Sequence, residues 1–327
     1  MPNRLLLALA NQEGLARFSM ENPALRPMVL RFVAGAELDD AVPIVRDLNK
    51  QGIRASLDHL GENTTDRDSA RAAAGAYEQA LQTIVAHGLD ANISVKLTAM
   101  GLDIADSVAE ENLRTVLERA RAHNIFVRTD MEASEYTART LEIGEHMRAA
   151  GYDNVGPVIQ AYLYRGMADV ECLIRDGARV RLCKGAYDEA PNVAFRRKRD
   201  TDRNFVRLME ALLDGGNYPA IATHDEEIIA HARRYARRRG IQAERFEFQM
   251  LYGVRRDLQE ELVADGYNVR VYIPYGVSWY PYLVRRLAER PANLAFVLGS
   301  YAGEGRRARG EGRGARGEGR GASVHRV

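Results

Sequence analysis

Near the end of the sequence, Tyr282, Arg285, Arg286 and Glu289 stand at i, i+3, i+4 and i+7, the spacing that lays four side chains along one face of a helix. That stripe normally holds core-facing apolar groups, yet here Leu283, Val284 and Leu287 supply the apolar contacts beside it. Two chemistries suit the pattern. One is a solvated face with an Arg285–Glu289 ion pair worth about 0.3–0.5 kcal/mol. The other is a fork of guanidinium donors that takes a carboxylate or phosphate in a planar, bidentate way.

More residues able to do chemistry follow short apolar runs: Glu62, Lys96, Asp130, Gln160 with Arg165, Lys184, Thr223 with His224, Gln249 with Tyr252, and Tyr275. Singly each has a plain structural reading. Lys96 would snorkel, His224 would sit satisfied in the interior, and Asp130 would cap a helix. Together they ask for a fold that gathers the ends of many strands.

The runs supply one. β-branched stretches bounded by Gly, Asp or Asn begin at Ala55, Ile93, Ile125, Val155, Arg179, Ala220, Phe246 and Val269. Segments of helical period alternate with them at 69–87, 107–122, 136–150, 192–213 and 226–238, and the arginine-bearing stretch is the last helix. Eight β-then-α units predict parallel strands closed into an α/β, (β/α)8 TIM-type barrel, whose strand ends converge on one face. Helical segments within 1–32 and over 38–50 would flank it, giving an N-terminal part (1–54), a catalytic barrel (55–303) and a tail (304–327).

Lys96, Arg165, Arg181, Lys184, Arg285 and Arg286 outnumber Glu62, Asp130 and Glu289, a balance that a phosphorylated cofactor together with a carboxylate substrate would satisfy. KGAY, starting at Lys184, places small residues beside a lysine where backbone amides can approach a pyrophosphate. No HxH pair, HExxH or His/Asp ligand set stands at the strand ends, so no metal is expected.

The chain has 327 residues, 46% of them hydrophobic, enough for a sizeable core. Its net charge of +1 includes a tail, from Glu304 to Val327, with seven Arg and three Glu, leaving the body near −3. The folded part is therefore no general nucleic-acid binder. The tail is a Gly/Arg/Glu repeat expected to be disordered. Gly312, Gly314 and Gly317 meet the GxGxxG pattern there without a strand before or a helix after. Cys172 and Cys183 lie in apolar stretches without CxxC spacing, so neither a disulfide framework nor a thiolate metal site is expected, the setting is a reducing one, and Cys183 is expected as a core residue. No segment is apolar and long enough to span a bilayer.

YxxRRxxE (282–289), RLCKGAYDE (181–189), ATHD (222–225), VRTDME (127–132), VIQAYLYR (158–165) and FEFQMLYGVR (246–255) resemble, in order, the motifs of the monofunctional bacterial proline dehydrogenase family. The likeness runs from the first helices to about Ala302. It implies a distorted (β/α)8 barrel whose last helix carries the arginine pair. It further implies that Arg285, Arg286 and Lys96 hold the carboxylate of L-proline, with Tyr275 and Tyr282 against its ring. Glu62 would pair with Arg285 as a gate, Asp130 would anchor Arg286, and Arg181 would lie near the reacting atoms. FAD would contact Met131, Gln160, Arg165, Lys184, Gly185, Ala186, Thr223, His224 and Glu289. The implied reaction is hydride transfer from proline to the flavin, giving pyrroline-5-carboxylate, with electrons passing to a quinone. A cytoplasmic enzyme in peripheral contact with the inner face of the membrane follows, with room for hand-over of product to a pyrroline-5-carboxylate dehydrogenase. Two other readings keep the barrel: an aldolase with Lys96 or Lys184 as a Schiff-base lysine, and a non-catalytic carboxylate-binding protein.

Overall fold

The computed structural model describes residues 29–283. Arg285, Arg286 and Glu289, the first helical segment up to residue 28, and the arginine-rich tail lie outside the described residues.

Eight strands close into a barrel in sequence order: β1 (Arg54–His59), β2 (Ala91–Val95), β3 (Val127–Thr129), β4 (Val155–Gln160), β5 (Arg181–Cys183), β6 (Ala220–Ala222), β7 (Glu247–Leu251) and β8 (Asn268–Tyr275). Every neighbouring pair is parallel, and β8 closes on β1 with Leu57 opposite Ile273. Between the strands run α2 (Arg67–Ala86), α3 (Asp106–Ala122), α4 (Thr137–Ala149), α5 (Gly166–Arg175), α6 (Lys198–Gly215), α7 (Glu226–Arg239) and α8 (Arg256–Ala264), after a leading α1 (Leu38–Lys50). Two of the helices begin at a capping aspartate. Asp66 accepts a hydrogen bond from Ser69 N at 2.8 Å to cap α2, and Asp225 does the same from Glu227 N for α7. The α7 helix also carries Glu226 and Glu227 in its first turn and Arg237, Arg238 and Arg239 in its last, the order its dipole favours.

Alternation along the strands divides the barrel wall into two chemistries. Leu57, Ile93, Val95, Val127, Ile159, Leu182, Ile221, Phe248, Val271 and Ile273 are buried in one continuous apolar cluster with α1 to α8. The opposite face of several strands is polar. Arg181 on β5 reaches Ser94 on β2 and Ser56 on β1, contacts that only the barrel lumen allows. The lumen is thus partly filled by paired charges rather than by the bulky aliphatic layers usual in such barrels.

Some expectations need correction. The helix expected over 192–213 starts at Lys198, because residues before it are held as loop by a bridge between Ala194 and Leu163. The short helices α5 and α8, of ten and nine residues, join the segments of helical period read from the sequence. Cys183, expected in the core, is only half-buried, and Cys172 is exposed beside Arg175. Among the described residues no helix is long and apolar enough to cross a membrane, and no group of three metal-ligating side chains forms.

Candidate active site

Two charge clusters stand at the mouth of the barrel. In the first, Lys96, just past β2, places Nζ 2.6 Å from Asp58 Oδ1 on β1 and 3.7 Å from Asp130 Oδ2 just past β3. Asp130 Oδ1 accepts from Arg181 Nη1 at 2.8 Å, and Asp130 Oδ2 accepts from the Tyr272 hydroxyl at 2.7 Å. Arg181 in turn donates through Nε to Gln249 Oε1 at 2.5 Å and stacks over Tyr272, 5.3 Å from the ring centre. Lys96 and Asp130, expected from separate strand ends, and Arg181, expected near the reacting atoms, therefore form one charged unit in which Asp130 is hydrogen-bonded to Arg181 and ion-paired with Lys96.

Burial and charge act against each other at this cluster. Burial lowers the Lys96 ammonium, but the Asp58 and Asp130 carboxylates outweigh it and hold its pKa well above the ordinary lysine value. Burial raises Asp58, with Lys96 opposing it. The Tyr272 phenol is pushed far up, first by burial and then by the charges of Asp130 and Asp58. A Schiff-base lysine needs a lowered pKa to be nucleophilic, and Lys96 is shifted the other way, against that role for Lys96.

The second cluster lies around the loop after β5. Lys184 Nζ is held 2.5 Å from Asp202 Oδ1 and 2.8 Å from Asp225 Oδ2. Burial works against Asp225, yet hydrogen bonding and attraction from Lys184 bring its pKa below the usual value. Gly185 has φ of +108°, and a Cβ there would stand 2.1 Å from the Tyr162 ring, so the turn admits only glycine. The rest of this loop is pinned from the β3 side, where Ser134 N donates to Glu189 Oε1 at 2.7 Å.

The remaining expected residues are spread around these two clusters. Gln160 is buried and donates through Nε2 to the Glu132 carbonyl at 2.9 Å, and Met131 is buried beside it in sequence. His224 Nε2 accepts from Leu251 N at 2.9 Å, which leaves the proton of a neutral ring on Nδ1. Thr223 Oγ1 accepts from Asp225 N at 3.1 Å, and Ala186 is half-buried in the turn after Gly185. Arg165 forks onto Asp169 at 2.7 and 2.9 Å in a half-exposed position. Tyr275 is buried against His59, with ring centres 5.4 Å apart. Tyr282 is buried with Val29, Phe32, Val33, Leu60, Trp279 and Leu283, and Glu62 is half-buried on the loop after β1.

Residues 41–298 match the sequence model of the family described as proline dehydrogenase. The chain belongs to the proline dehydrogenase family. It is 41% identical over 298 residues to proline dehydrogenase 1 of Bacillus subtilis subsp. natto, covering 91% of this chain and 98% of that protein. With the proline dehydrogenase of Deinococcus radiodurans it shares 39% identity over 294 residues, 88% of this chain and 92% of the relative. Among solved structures, proline utilization A of Bdellovibrio bacteriovorus, inactivated by N-propargylglycine, superposes with a TM-score of 0.76 at 28% identity. That match covers 85% of this chain, which spans only 34% of the larger protein.

Proline dehydrogenases are a flavoenzyme family, and several polar groups at this site lie outside the motifs that carried the resemblance or were not singled out within them. Asp58 and Tyr272 stand in mid-strand. Glu132 accepts from Thr98 N and from the Thr98 hydroxyl, with burial nevertheless raising its pKa to about 7. Asp202 and Asp225 pin Lys184 from two helix starts. The one signal for the mid-strand pair is period two: Ser56 and Asp58 on β1, and Arg270 and Tyr272 on β8, place polar groups at alternate positions facing inward.

Proposed function

We propose that this chain catalyses the FAD-dependent oxidation of L-proline to pyrroline-5-carboxylate, the first step of proline breakdown. The observation that carries the reading is the buried unit of Lys96, Asp130 and Arg181 at the strand ends, in a chain of the proline dehydrogenase family. A fixed ammonium suits the substrate carboxylate, and Arg285 and Arg286 on the following segment would complete a three-cation grip. Tyr275 and Tyr282 would pack against the ring and Glu62 would close over it.

The second cluster fits a flavin dinucleotide. Only a glycine turn clears Tyr162 at position 185, so backbone can approach a pyrophosphate there, beside a lysine whose charge is already fixed in place. Lys184, Gly185 and Ala186, with Arg165, Gln160, Met131, Thr223, His224 and Glu289, would hold the cofactor. When bound, FAD supplies an acceptor for the hydride that proline gives up from the ring carbon next to nitrogen.

The chain's own residues do the rest by orientation. With the carboxylate fixed, the ring cannot turn away, and the nearby cations favour a neutral amine, whose lone pair would form the C=N bond as the hydride leaves, the resulting iminium giving its proton to solvent afterwards. Asp130 keeps Lys96 and Arg181 on one anchor, so the charge that grips the carboxylate and the charge near the reacting atoms stay at a constant separation. The two electrons would pass onward to a quinone, which places a cytoplasmic protein in peripheral contact with the membrane. Hand-over of product to a pyrroline-5-carboxylate dehydrogenase is part of the same proposal, as is the division at residues 54 and 303 into flanking helices, barrel and tail.

The test is an absorption spectrum of the purified protein before and after anaerobic L-proline. Flavin bands that bleach are the expected result. A colourless protein that gains no bands with added FAD overturns the cofactor, and bands indifferent to proline overturn the substrate.

A further inference from the structure

Asp58 is the most deeply enclosed carboxylate at the mouth of the barrel, with no exposed surface. Its Oδ1 sits 2.6 Å from Lys96 Nζ, and its Oδ2 has no formed hydrogen bond among the described residues, since the Tyr272 hydroxyl that also favours this carboxylate donates to Asp130. Burying a carboxylate in this way is costly, so its partner must be worth fixing. Asp130 holds Lys96 less closely, because its two oxygens already accept from Arg181 and Tyr272 and its approach to Nζ is 3.7 Å. An ammonium has three donors. One is spent on Asp58 and one faces Asp130, which leaves the third for a ligand oxygen.

We propose that Asp58 is a positioning residue for substrate: it pins the Lys96 ammonium, charged and aimed, so that the free donor meets the substrate carboxylate. This rests on the reading of the site as a proline-oxidising one. Without Asp58, Lys96 would close on Asp130 and compete with Arg181 and Tyr272 for its oxygens. The groups whose charge reaches Lys96 come from several elements: Asp58 on β1, Glu62 beyond it, Asp130 after β3 and the Tyr77 phenol from α2. The Lys96 charge is felt in turn at His59, whose pKa is lowered first by burial and then by Lys96, and at Glu132. Asp58 approaches the ammonium more closely than Asp130 does, at 2.6 Å against 3.7 Å.

The probe is tetrahydrofuran-2-carboxylate, a proline-shaped ring acid without an amine to oxidise, bound to the flavin-loaded enzyme and read by the shift in flavin absorption. In Asp58→Asn its Kd and the KM for proline should rise together, at least ten-fold, with kcat at saturating proline held within about three-fold. The variant's affinity should also fall with rising pH at lower pH than the wild type's, as a less supported Lys96 loses its proton. A merely structural ion pair would lower thermal stability and leave Kd unmoved, which overturns the proposal. A fall in kcat with unchanged Kd overturns it as well. Should Asp58→Asn fail to fold, Lys96→Met is compared with the Lys96→Met/Asp58→Asn pair, which removes both charges. Equal Kd values in those two proteins support action through Lys96, and weaker binding by the double variant overturns it. A wild-type enzyme that neither binds the ring acid nor bleaches with proline overturns the functional reading along with the inference, whereas a wild type that does both beside an unaffected Asp58→Asn overturns the inference alone.

Discussion

The barrel holds buried charge at both ends, and the two ends treat it differently. At the floor, near the N-terminal ends of the strands, Glu247 receives Arg270 Nε at 3.0 and 3.2 Å on its two oxygens, the Tyr218 hydroxyl at 3.3 Å, and the Gln249 amide. Arg54 closes the set by donating to Tyr218 at 2.8 Å. Burial works against this carboxylate, but the charge and hydrogen bonds of Arg270 and the amide of Gln249 bring Glu247 below its ordinary pKa. At the mouth, an oxygen of Asp58 accepts nothing and Lys96 keeps a donor to spare. For these two carboxylates, burial by itself does not mark a site, since Glu247 is saturated while Asp58 keeps unspent hydrogen-bonding capacity; on the floor the one such unspent group beside Glu247 among the described residues, Arg128 Nε, belongs to a cation. A saturated network is a structural plug, and an unsaturated one has room for a ligand.

The sharpest test of that distinction is on the floor. Glu247→Gln leaves Arg270 buried without a counter-charge, so unfolding in urea should show a loss of about 3–5 kcal/mol. The KM for proline of the folded fraction should stay within two-fold of wild type. A large change in KM would mean that the floor is not separable from the mouth.

Next in size is a pH effect at Glu132. Its carboxyl is raised from an ordinary 4.5 to about 7, first by burial, against the pull of the two Thr98 donors and Lys96. A carboxyl raised in the folded state binds protons more tightly than in the unfolded chain. It therefore adds stability in full below about pH 4.5, and that contribution is lost as pH rises to about 7. Glu132→Gln cannot titrate, so the slope of stability against pH should flatten across that window. Above it the variant should gain up to about 3 kcal/mol over wild type. Thermal melts from pH 4 to pH 8 measure it, and an unchanged slope would place the wild-type carboxylate among fully satisfied groups like Glu247.

At the mouth proper, Lys96→Met removes a charged donor worth about 1.5–3 kcal/mol to a bound carboxylate, so KM for proline should rise roughly 10-fold to 100-fold. Its cost in stability should be smaller than that of the floor variant, because Asp58, already raised by burial, can take up a proton in place of the lost ammonium. Steady-state kinetics beside urea unfolding check both halves, and a variant that loses as much stability as Glu247→Gln with an unaltered KM would reverse the assignment of the two ends.

Much of this layout is legible in the chain. Short apolar runs ending in Lys96, Asp130 and Lys184 give the barrel and the direction of its functional face, because a parallel strand buried by helices must be apolar until its end. The starts of α2 and α7 are legible for a local reason, their capping aspartates. What escapes is the lumen. Ser56 and Asp58 alternate with Ala55 and Leu57, and such alternation reads as a solvent-facing edge unless barrel closure is already known. Partners escape too: Arg181 was placed near the reacting atoms by resemblance, but its contacts with Ser56, Ser94 and Gln249 join residues 68 to 125 positions apart. No local pattern encodes such pairings. The arginine pair that first suggests a carboxylate grip lies outside the described residues, so its part in the site rests on the sequence.

The smallest effect is expected where the two ends meet. Gln249 donates to Glu247 below and accepts from Arg181 above, so its amide cannot flip without breaking both contacts. Its carbonyl is therefore aimed at Arg181 by the floor. Gln249→Leu removes the aim and one hydrogen bond to a charged group, while Asp130 and the two serines still hold the guanidinium. A loss of two-fold to ten-fold in kcat with KM nearly constant is expected in anaerobic single-turnover bleaching by proline. Gln249→Glu should not rescue it: the new carboxylate still accepts from Arg181, but it offers Glu247 a second negative charge where a donor stood. If both variants turn over like wild type, the floor contributes to stability alone and the boundary between plug and site lies above Gln249. If both are impaired and Glu247→Gln is impaired with them, the plug also sets the angle of the Arg181 guanidinium.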